Sequence, residues 1–556
     1  MQKSTTRRMI AAGTFAGLLL ASTSATAQFV AKPSLVAPKG ATIRLASDIS
    51  LDRNGKAAPE FGNGPVGIMF EGVSQYDGAL LGRNFLPPDT NGAVGQTQYM
   101  EVTNGAYSVF NKYTGVQTSL VSDIAFWAAA GRTGAQGDSR VMYNAAAGRW
   151  IVASFGASVS DIQIAISDTD NALGSWKSTI FTGFAGGTAD YPTLALDMNA
   201  VYIGTNNFAA NFAGTTMNVI PISSLFNAVG PTTTNMKQFV TPYTGGAGDI
   251  DRGFAQQGVN STSTGSTGTV IAASLAEFDN IGYNINGLTT TNATGGTLTA
   301  TDYLGMSAFT TAGKARQPSA LVGANQRIVD AGDERISSSV YEANGRIYMV
   351  NTVNSGFDTL DEARVRVTII DKNTFNIISE KDIGTAGYDF FQPSIAVNAL
   401  GEVVIGYNRS GLNAADGKIR FYAQTFTTNG AGQLVAQSGP LLLKESLTDD
   451  YHNGSAFGAA SAGRQRWGDY SQVSIDPTDA HGFYVIGQFA REYNNDAGGH
   501  PGGSGFARWG TWIAQISTAA VPAVPESSTW MMMIAGFGFV GASMRRRTRV
   551  TSVTYG

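Results

Sequence analysis

The apolar positions of this 556-residue chain fall into short runs that come in pairs. Each pair is an apolar strand, a turn rich in Asn, Asp or Gly, and a second apolar strand. Asp89-Thr90-Asn91-Gly92-Ala93-Val94 leads to Gln98-Tyr99-Met100-Glu101-Val102. Val141-Met142-Tyr143-Asn144 leads through Gly148 to Arg149-Trp150-Ile151-Val152-Ala153. Leu194-Ala195-Leu196-Asp197 leads through Asn199 to Val201-Tyr202-Ile203-Gly204. The pattern returns at Val340-Tyr341-Glu342 with Ile347-Tyr348-Met349-Val350, and at Ile395-Ala396-Val397-Asn398 with Val403-Val404-Ile405-Gly406. It appears again at Val473-Ser474-Ile475-Asp476 with Phe483-Tyr484-Val485-Ile486-Gly487. A weaker copy joins residues 254–259 to Val270-Ile271-Ala272-Ala273. β-Branched and aromatic runs bounded by turn residues predict β-hairpins. Several second strands are apolar throughout, which predicts burial on both faces.

Alternating strands follow most hairpins: Ile162-Gln163-Ile164-Ala165-Ile166, Val365-Arg366-Val367-Thr368-Ile369, Ile419-Arg420-Phe421-Tyr422-Ala423 and Trp512-Ile513-Ala514-Gln515-Ile516. Each repeat thus offers three or four strands over roughly 45 to 80 residues, the pattern of propeller blades. The expected fold is all-β: a single β-propeller over residues 86–519, counted as seven blades, with six and eight as alternatives. A parallel β-helix would also suit a chain rich in Gly, Asn and Thr, but such solenoids repeat every 20 to 29 residues or fewer. In residues 28–85, Pro33, Pro38, Pro59, Pro65 and several glycines interrupt the pattern, so this stretch reads as a lead-in segment that can add an outer strand. Residues 261–268 and 494–505 read as exposed loops.

Both ends read as addresses. Lys3, Arg7 and Arg8 precede an apolar stretch over residues 9–20, and Ala25-Thr26-Ala27 gives the small-x-small pattern of a cleavage site. A signal peptide over residues 1–27, cut by signal peptidase between Ala27 and Gln28, is expected. At the other end a Pro/Ser spacer, residues 521–529, precedes an apolar stretch from Trp530 to Met544 and the cluster Arg545, Arg546, Arg547. A helix over residues 528–544 is at the lower limit of what spans a bilayer. Trp530 suits one interface and the arginines the cytoplasmic side.

Pro525, Glu526 and Trp530, followed by the helix and the arginines, resemble the PEP-CTERM sorting signal, in particular its Trp-containing subclass. Ser527 and Met531 depart from the family pattern. The resemblance covers residues 520–556 and implies a transient inner-membrane anchor, recognition by an exosortase, and release or attachment at the surface of a Gram-negative, exopolysaccharide-producing bacterium. In the body, Ser167-Asp168-Thr169-Asp170 with Gly174-Ser175-Trp176 is similar to the Asp-box turn of sialidase-like propellers. That resemblance implies a structural turn between outer strands.

Composition narrows the functions. The chain has no cysteine, which excludes disulfides, Cys-ligated zinc, iron–sulfur clusters and thiol catalysis. The net charge of −4 shows no basic surplus and argues against a nucleic-acid partner. His452, His481 and His500 form no zinc-binding spacing, and neither a Gly-x-Ser-x-Gly elbow nor a phosphate-binding loop occurs.

The polar residues just before the first strands are the candidate chemistry: Asp138 and Arg140, Asp190 and Tyr191, Asp251, Arg335, Asp389, Arg466 and Asp469. In a propeller such positions converge on one end of the central channel. A ring of carboxylates there suits Ca²⁺, and paired arginines suit a sugar acid. The alternative is that each Asp caps its own turn. No catalytic residue is assigned. The expected function is a polysaccharide- or protein-binding scaffold, with a sialidase-like glycan hydrolase or lyase as the alternative. Tyr191, Tyr388, Phe390, Tyr470 and Trp509 read as core side chains that are also able to stack on sugars.

Overall fold

The computed structural model describes residues 56–519 except 247, 300–301, 319–326, 356–360, 453–462 and 492–506, together with 554 and 556. The expected signal peptide with its Ala27–Gln28 cut, the first part of the lead-in segment, and the sorting signal with Pro525, Glu526, Trp530 and Arg545 to Arg547 lie outside the described residues. The chain divides into two compact units, Met1–Thr518 and Ala519–Gly556, and every described strand belongs to the first. Among the described residues no helix is long and apolar enough to cross a membrane.

The unit is all-β, with only three short described helices, Gln75–Leu80, Asp123–Ala129 and Ile222–Leu225. Each hairpin read from the sequence forms the first two strands of an antiparallel sheet. The first sheet runs Asn91–Val94, Gln98–Thr103, Ala106–Asn111, Gln117–Ser122, and the second Arg140–Asn144, Arg149–Phe155, Asp161–Ser167, Trp176–Thr182. The third is built on Ala200–Phe208 and Phe212–Pro221, and the fourth on Phe254–Asn260, Thr267–Ala273 and Asn280–Asn286. Val340–Ala343 opens the fifth, which a short parallel pairing (Val259 with Val340, Asn260 with Tyr341) joins to the fourth, Tyr388–Val397 opens the sixth and Gln472–Ile475 the seventh. A further small sheet pairs Lys314–Ala315, Arg327–Asp330 and Gly463–Gln465.

Continuous apolar strands make sense once both faces are followed. On Arg149–Phe155, Trp150 and Val152 point into a cluster with Met100, Val102 and Tyr107 of the first sheet. Their neighbours Ile151, Ala153 and Phe155 point the other way, into a cluster with Val201, Ile203 and Ile220 of the third. The period-2 alternation of a strand delivers alternate residues to two different cores. The same arrangement joins the third sheet to the fourth, the fourth to the fifth, the fifth to the sixth and the sixth to the seventh. Tyr484, Ile486 and Ile513 of the seventh sheet then pack on Val94, Tyr99 and Phe110 of the first. Face-to-face packing of successive small sheets, mostly of four or five strands, is a β-propeller architecture.

The end of the lead-in segment supplies an outer strand. Val66–Ser74 pairs antiparallel with Trp509–Ser517, so the seventh sheet combines strands from both ends of the described chain. Glu101 ties this strand to the first sheet. Its carboxylate accepts from Val73 N at 2.9 Å and Thr511 Oγ1 at 2.6 Å. Burial raises its pKa to about 7 against these hydrogen bonds. A carboxyl raised in the folded state costs stability as pH climbs from the unfolded value near 4.5 to about 7, and the cost is constant above. That interval corresponds to about 3 kcal/mol. Denaturant titrations across pH 4.5 to 7.5 are expected to show stability falling with pH, and Glu101→Gln to make that slope shallower, with the other raised carboxyls still contributing. An unchanged slope in the variant would place the titration elsewhere.

Candidate functional site at the inner strand ends

Five of the strands that open the sheets share a kink at or near their starts. Asp89, Asp138, Tyr191, Ala255 and Gln392 all have left-handed backbones, with φ between 46° and 55°. This conformation is tolerated by Asp and costs of order 1–3 kcal/mol at other non-glycine residues. At Ala255 and Gln392 it coincides with a break in strand register. Polar side chains beside these kinks hydrogen-bond from one sheet to the next. Asn91 Oδ1 accepts from Val141 N, Thr193 Oγ1 donates to Gln256 O, and Gln257 Nε2 donates to Ile336 O.

Seven of the nine expected site residues come together here. Arg140 lies over the Tyr470 ring, 3.4 Å from its centroid, and Arg335 over the Tyr191 ring at 4.5 Å. The two tyrosine rings meet edge-on at 4.9 Å. Tyr470 donates its hydroxyl to Asp138 Oδ2, and Tyr191 donates to the Asp469 carbonyl. Arg466 reaches Asp469 at 3.1 Å. Asp190 interacts electrostatically with Arg335, Asp469 and Arg466. The cluster has a sealed floor of Asp138, Arg140, Tyr191 and Tyr470 and a largely buried rim of Asp333, Arg335, Arg466 and Asp469, whose side chains are 12–18% exposed.

Asp251 and Asp389 are not part of it. Asp251 caps the turn after Thr267–Ala273, accepting from Ser274 Oγ, Leu275 N and Ala276 N, so the turn-capping alternative holds there. Asp389 binds Arg316 through two side-chain hydrogen bonds and accepts from Ala363 N. Sequence reading missed Asp89, which accepts from Asn104 Nδ2 and Asp469 N. Asp89-Thr90-Asn91 occupies the same place as Asp138-Ser139-Arg140, and that spacing was the available signal.

Burial governs the protons. Asp89 and Asp138 are pushed well above the carboxylate range, first by burial and then by neighbouring aspartates. Burial takes Asp190 to about 7 against the pull of Arg335. Burial alone would lower Arg335, but Asp333 beside it reverses the sign and holds the guanidinium charged. Among the described residues no three His, Cys, Asp or Glu side chains group closely enough to hold a metal ion, so the ring gives Ca²⁺ no ready-made cage. The arginine forks are engaged internally: Arg335 grips Asp333 with two hydrogen bonds of 2.6 Å. Arg140 donates to the Pro192 and Ser337 carbonyls, while its Nη2 is buried with no hydrogen-bond partner. A ligand carboxylate reaching the rim arginines therefore competes with protein carboxylates.

Other expectations resolve simply. Tyr191, Phe390, Tyr470 and Trp509 are core side chains. His481 packs in its turn, Nδ1 2.9 Å from Glu402. The Asp-box-like segment links the third and fourth strands of the second sheet, where Trp150 Nε1 donates to Asp170 O.

No family model and no curated protein matches the chain. Among solved structures it is similar to a europium-containing methanol dehydrogenase, at 11% identity over 76% of this chain and 81% of that one, with a TM-score of 0.35. It is also similar to an α-L-arabinofuranosidase from Fusarium graminearum, at 9% identity over 69% and 93%, TM-score 0.33. The WD40 domain of SCAP from fission yeast matches at 6% identity over 76% and 82%, TM-score 0.31. These likenesses are distant in sequence and in superposition, and the architecture rests on the order of the sheets themselves.

Proposed function

We propose that this chain is an exported surface or matrix protein of a Gram-negative bacterium whose body, a seven-bladed β-propeller, is a binding scaffold for polysaccharide or a protein partner. The two terminal segments support export through signal peptidase and exosortase processing. The apolar clusters that link each sheet to the next, and the seventh to the first, support the count of seven and a closed ring. The observation that carries the binding reading is the rim of Asp333, Arg335, Arg466 and Asp469 above a sealed floor. Charges of both signs that keep a narrow exposed edge, 12–18% of each side chain, suit a polar ligand at the channel mouth. Asp89 and Asp138 are 3% and 4% exposed and committed to internal hydrogen bonds, which a pair of glycosidase carboxyls facing a sugar cannot be.

The alternative, a sialidase-like glycan-acting hydrolase or lyase, draws on Asp190, a mostly buried carboxyl that burial raises to about 7, in the range a general acid uses. The test is a glycan array probed with the full chain in mild detergent, with and without Ca²⁺, followed by release of reducing ends from any glycan bound. Binding without turnover that drops about tenfold, or roughly 1.4 kcal/mol, in Arg335→Gln is the expected result. Turnover abolished by Asp190→Asn would establish the hydrolase instead, and binding indifferent to Arg335 would remove the channel mouth as the site.

A further inference from the structure

A cleft of about 260 Å³ lies on the outer part of the molecule, between Ile377–Ile383 of the fifth sheet and Glu402–Gly411 of the sixth. It is smaller than the roughly 300–1,000 Å³ of pockets for drug-sized ligands, and suits a single sugar ring. Its walls follow from strand register. Tyr407 and Arg409 share one face of their strand, and Tyr407 stands opposite Tyr422 of Arg420–Thr428, the rings stacked at 5.8 Å and 17°. Phe390 stands opposite Arg409 on the other side. Lys381 closes the cleft from the fifth sheet.

The polar groups here are unevenly spent. Asp382, the carboxylate of the lining, is held by two hydrogen bonds from Arg366 at 2.8 and 2.9 Å. Arg409 uses Nη2 on Asp416, but its Nε is buried without a hydrogen-bond partner. The Tyr407 side chain is 0% exposed and its hydroxyl also lacks a partner. Among the described residues no carboxylate lies within ion-pair distance of the exposed Lys381. An orphaned buried donor costs the desolvation of a polar group, and two lining one cleft mark a place where a ligand supplies the acceptors. The unspent groups are these two donors; Lys381 adds a cation that lies 5.9 Å from the Phe426 ring, and the Arg409 guanidinium lies over the Tyr388 and Tyr422 rings.

We propose that this cleft binds one carboxylated sugar residue, a hexuronate unit of an acidic polysaccharide. Its carboxylate meets Arg409 Nε and Lys381, and Tyr407 donates to a ring or carboxylate oxygen. The inference deepens the polysaccharide-binding reading and rests on it, but it places a ligand away from the channel mouth.

The test is calorimetric titration of the full chain in mild detergent with a uronic-acid trisaccharide, a neutral trisaccharide of the same linkage, and inorganic sulfate. Uronate binding that weakens about tenfold in both Tyr407→Phe and Lys381→Met is expected, with the neutral sugar at least tenfold weaker. Tyr407→Phe keeps the ring and removes only the orphaned hydroxyl, so its melting temperature is expected to stay level or rise, which separates lost binding from lost folding. Sulfate binding as tight as the uronate reduces the cleft to an anion site and overturns the proposal. Uronate binding lost in Arg335→Gln and kept in Lys381→Met overturns it while leaving the scaffold reading intact. Absence of binding to every glycan overturns both.

Discussion

A chain that begins after Ser74 is expected to lose its cooperative fold. The strand Val66–Ser74 contributes Ile68 and Phe70 to the core shared with the first sheet, and Val66 and Met69 to the core shared with the sixth. Phe70 sits 5.1 Å from Phe110 and 6.4 Å from Tyr99, ring to ring. Val73 is buried against Trp509. Five buried apolar side chains at about 1.5–3 kcal/mol each amount to about 10 kcal/mol, which is comparable to the whole 5–15 kcal/mol stability of a typical domain. The loss also strips hydrogen bonds from Trp509–Ser517 and leaves an apolar edge open to aggregation. Thermal melting and size-exclusion chromatography check this: no cooperative transition, and mass in the void volume. Phe70→Ala in the full chain is the graded version, expected to cost about 3–5 kcal/mol. A truncated chain that melts as the full one does would mean the fold does not depend on this strand.

The sequence showed the hairpins because they depend on local chemistry. Asn344-Gly345 and Gly401 turns between β-branched runs fold the same way in most surroundings, and every pair read from the chain became the start of a sheet. The closing strand was harder to see. Val66–Ser74 contains Gly67 and Gly72. Each sits where a Cβ would run into its neighbours, Gln515 at Gly67 and Glu101 with Thr511 at Gly72. Glycines required by close packing look, in sequence, like glycines of a loop. Most of the candidate site was legible, and the exceptions have a related reason. Asp138, Asp190 and Asp469 precede inner strands and do converge. Asp251 looks the same in sequence, but its neighbours offer three donors in a turn, and local capping won. The outer cleft gave no signal at all, since Lys381, Tyr407 and Arg409 meet only through the packing of two sheets.

The seam between the seventh and first sheets has a second fastening, and breaking it is expected to be nearly as damaging as removing a core side chain. Lys112, at the end of Ala106–Asn111, donates its ammonium to Asp476 Oδ1 and Thr478 Oγ1 at 2.7 Å each and to Gly95 O at 3.1 Å. The side chains are 0% and 2% exposed, so neither charge is shared with water. Asp476 is independently held by Thr478 N and Thr478 Oγ1. A paired buried ion has already met its desolvation cost, whereas a lone one has nothing to offset it. Asp476→Ala leaves the ammonium facing only a carbonyl and a hydroxyl, and Lys112→Met leaves a carboxylate at the inter-sheet contact. Each single substitution is expected to cost about 3–5 kcal/mol. The double variant Lys112→Met with Asp476→Leu removes both charges together and is expected to cost clearly less than the sum. Denaturant unfolding of the four proteins gives the coupling directly. Additive losses below about 1 kcal/mol each are the signature of a solvent-exposed pair, and that outcome would rule out a buried fastening between segments 364 residues apart in the chain.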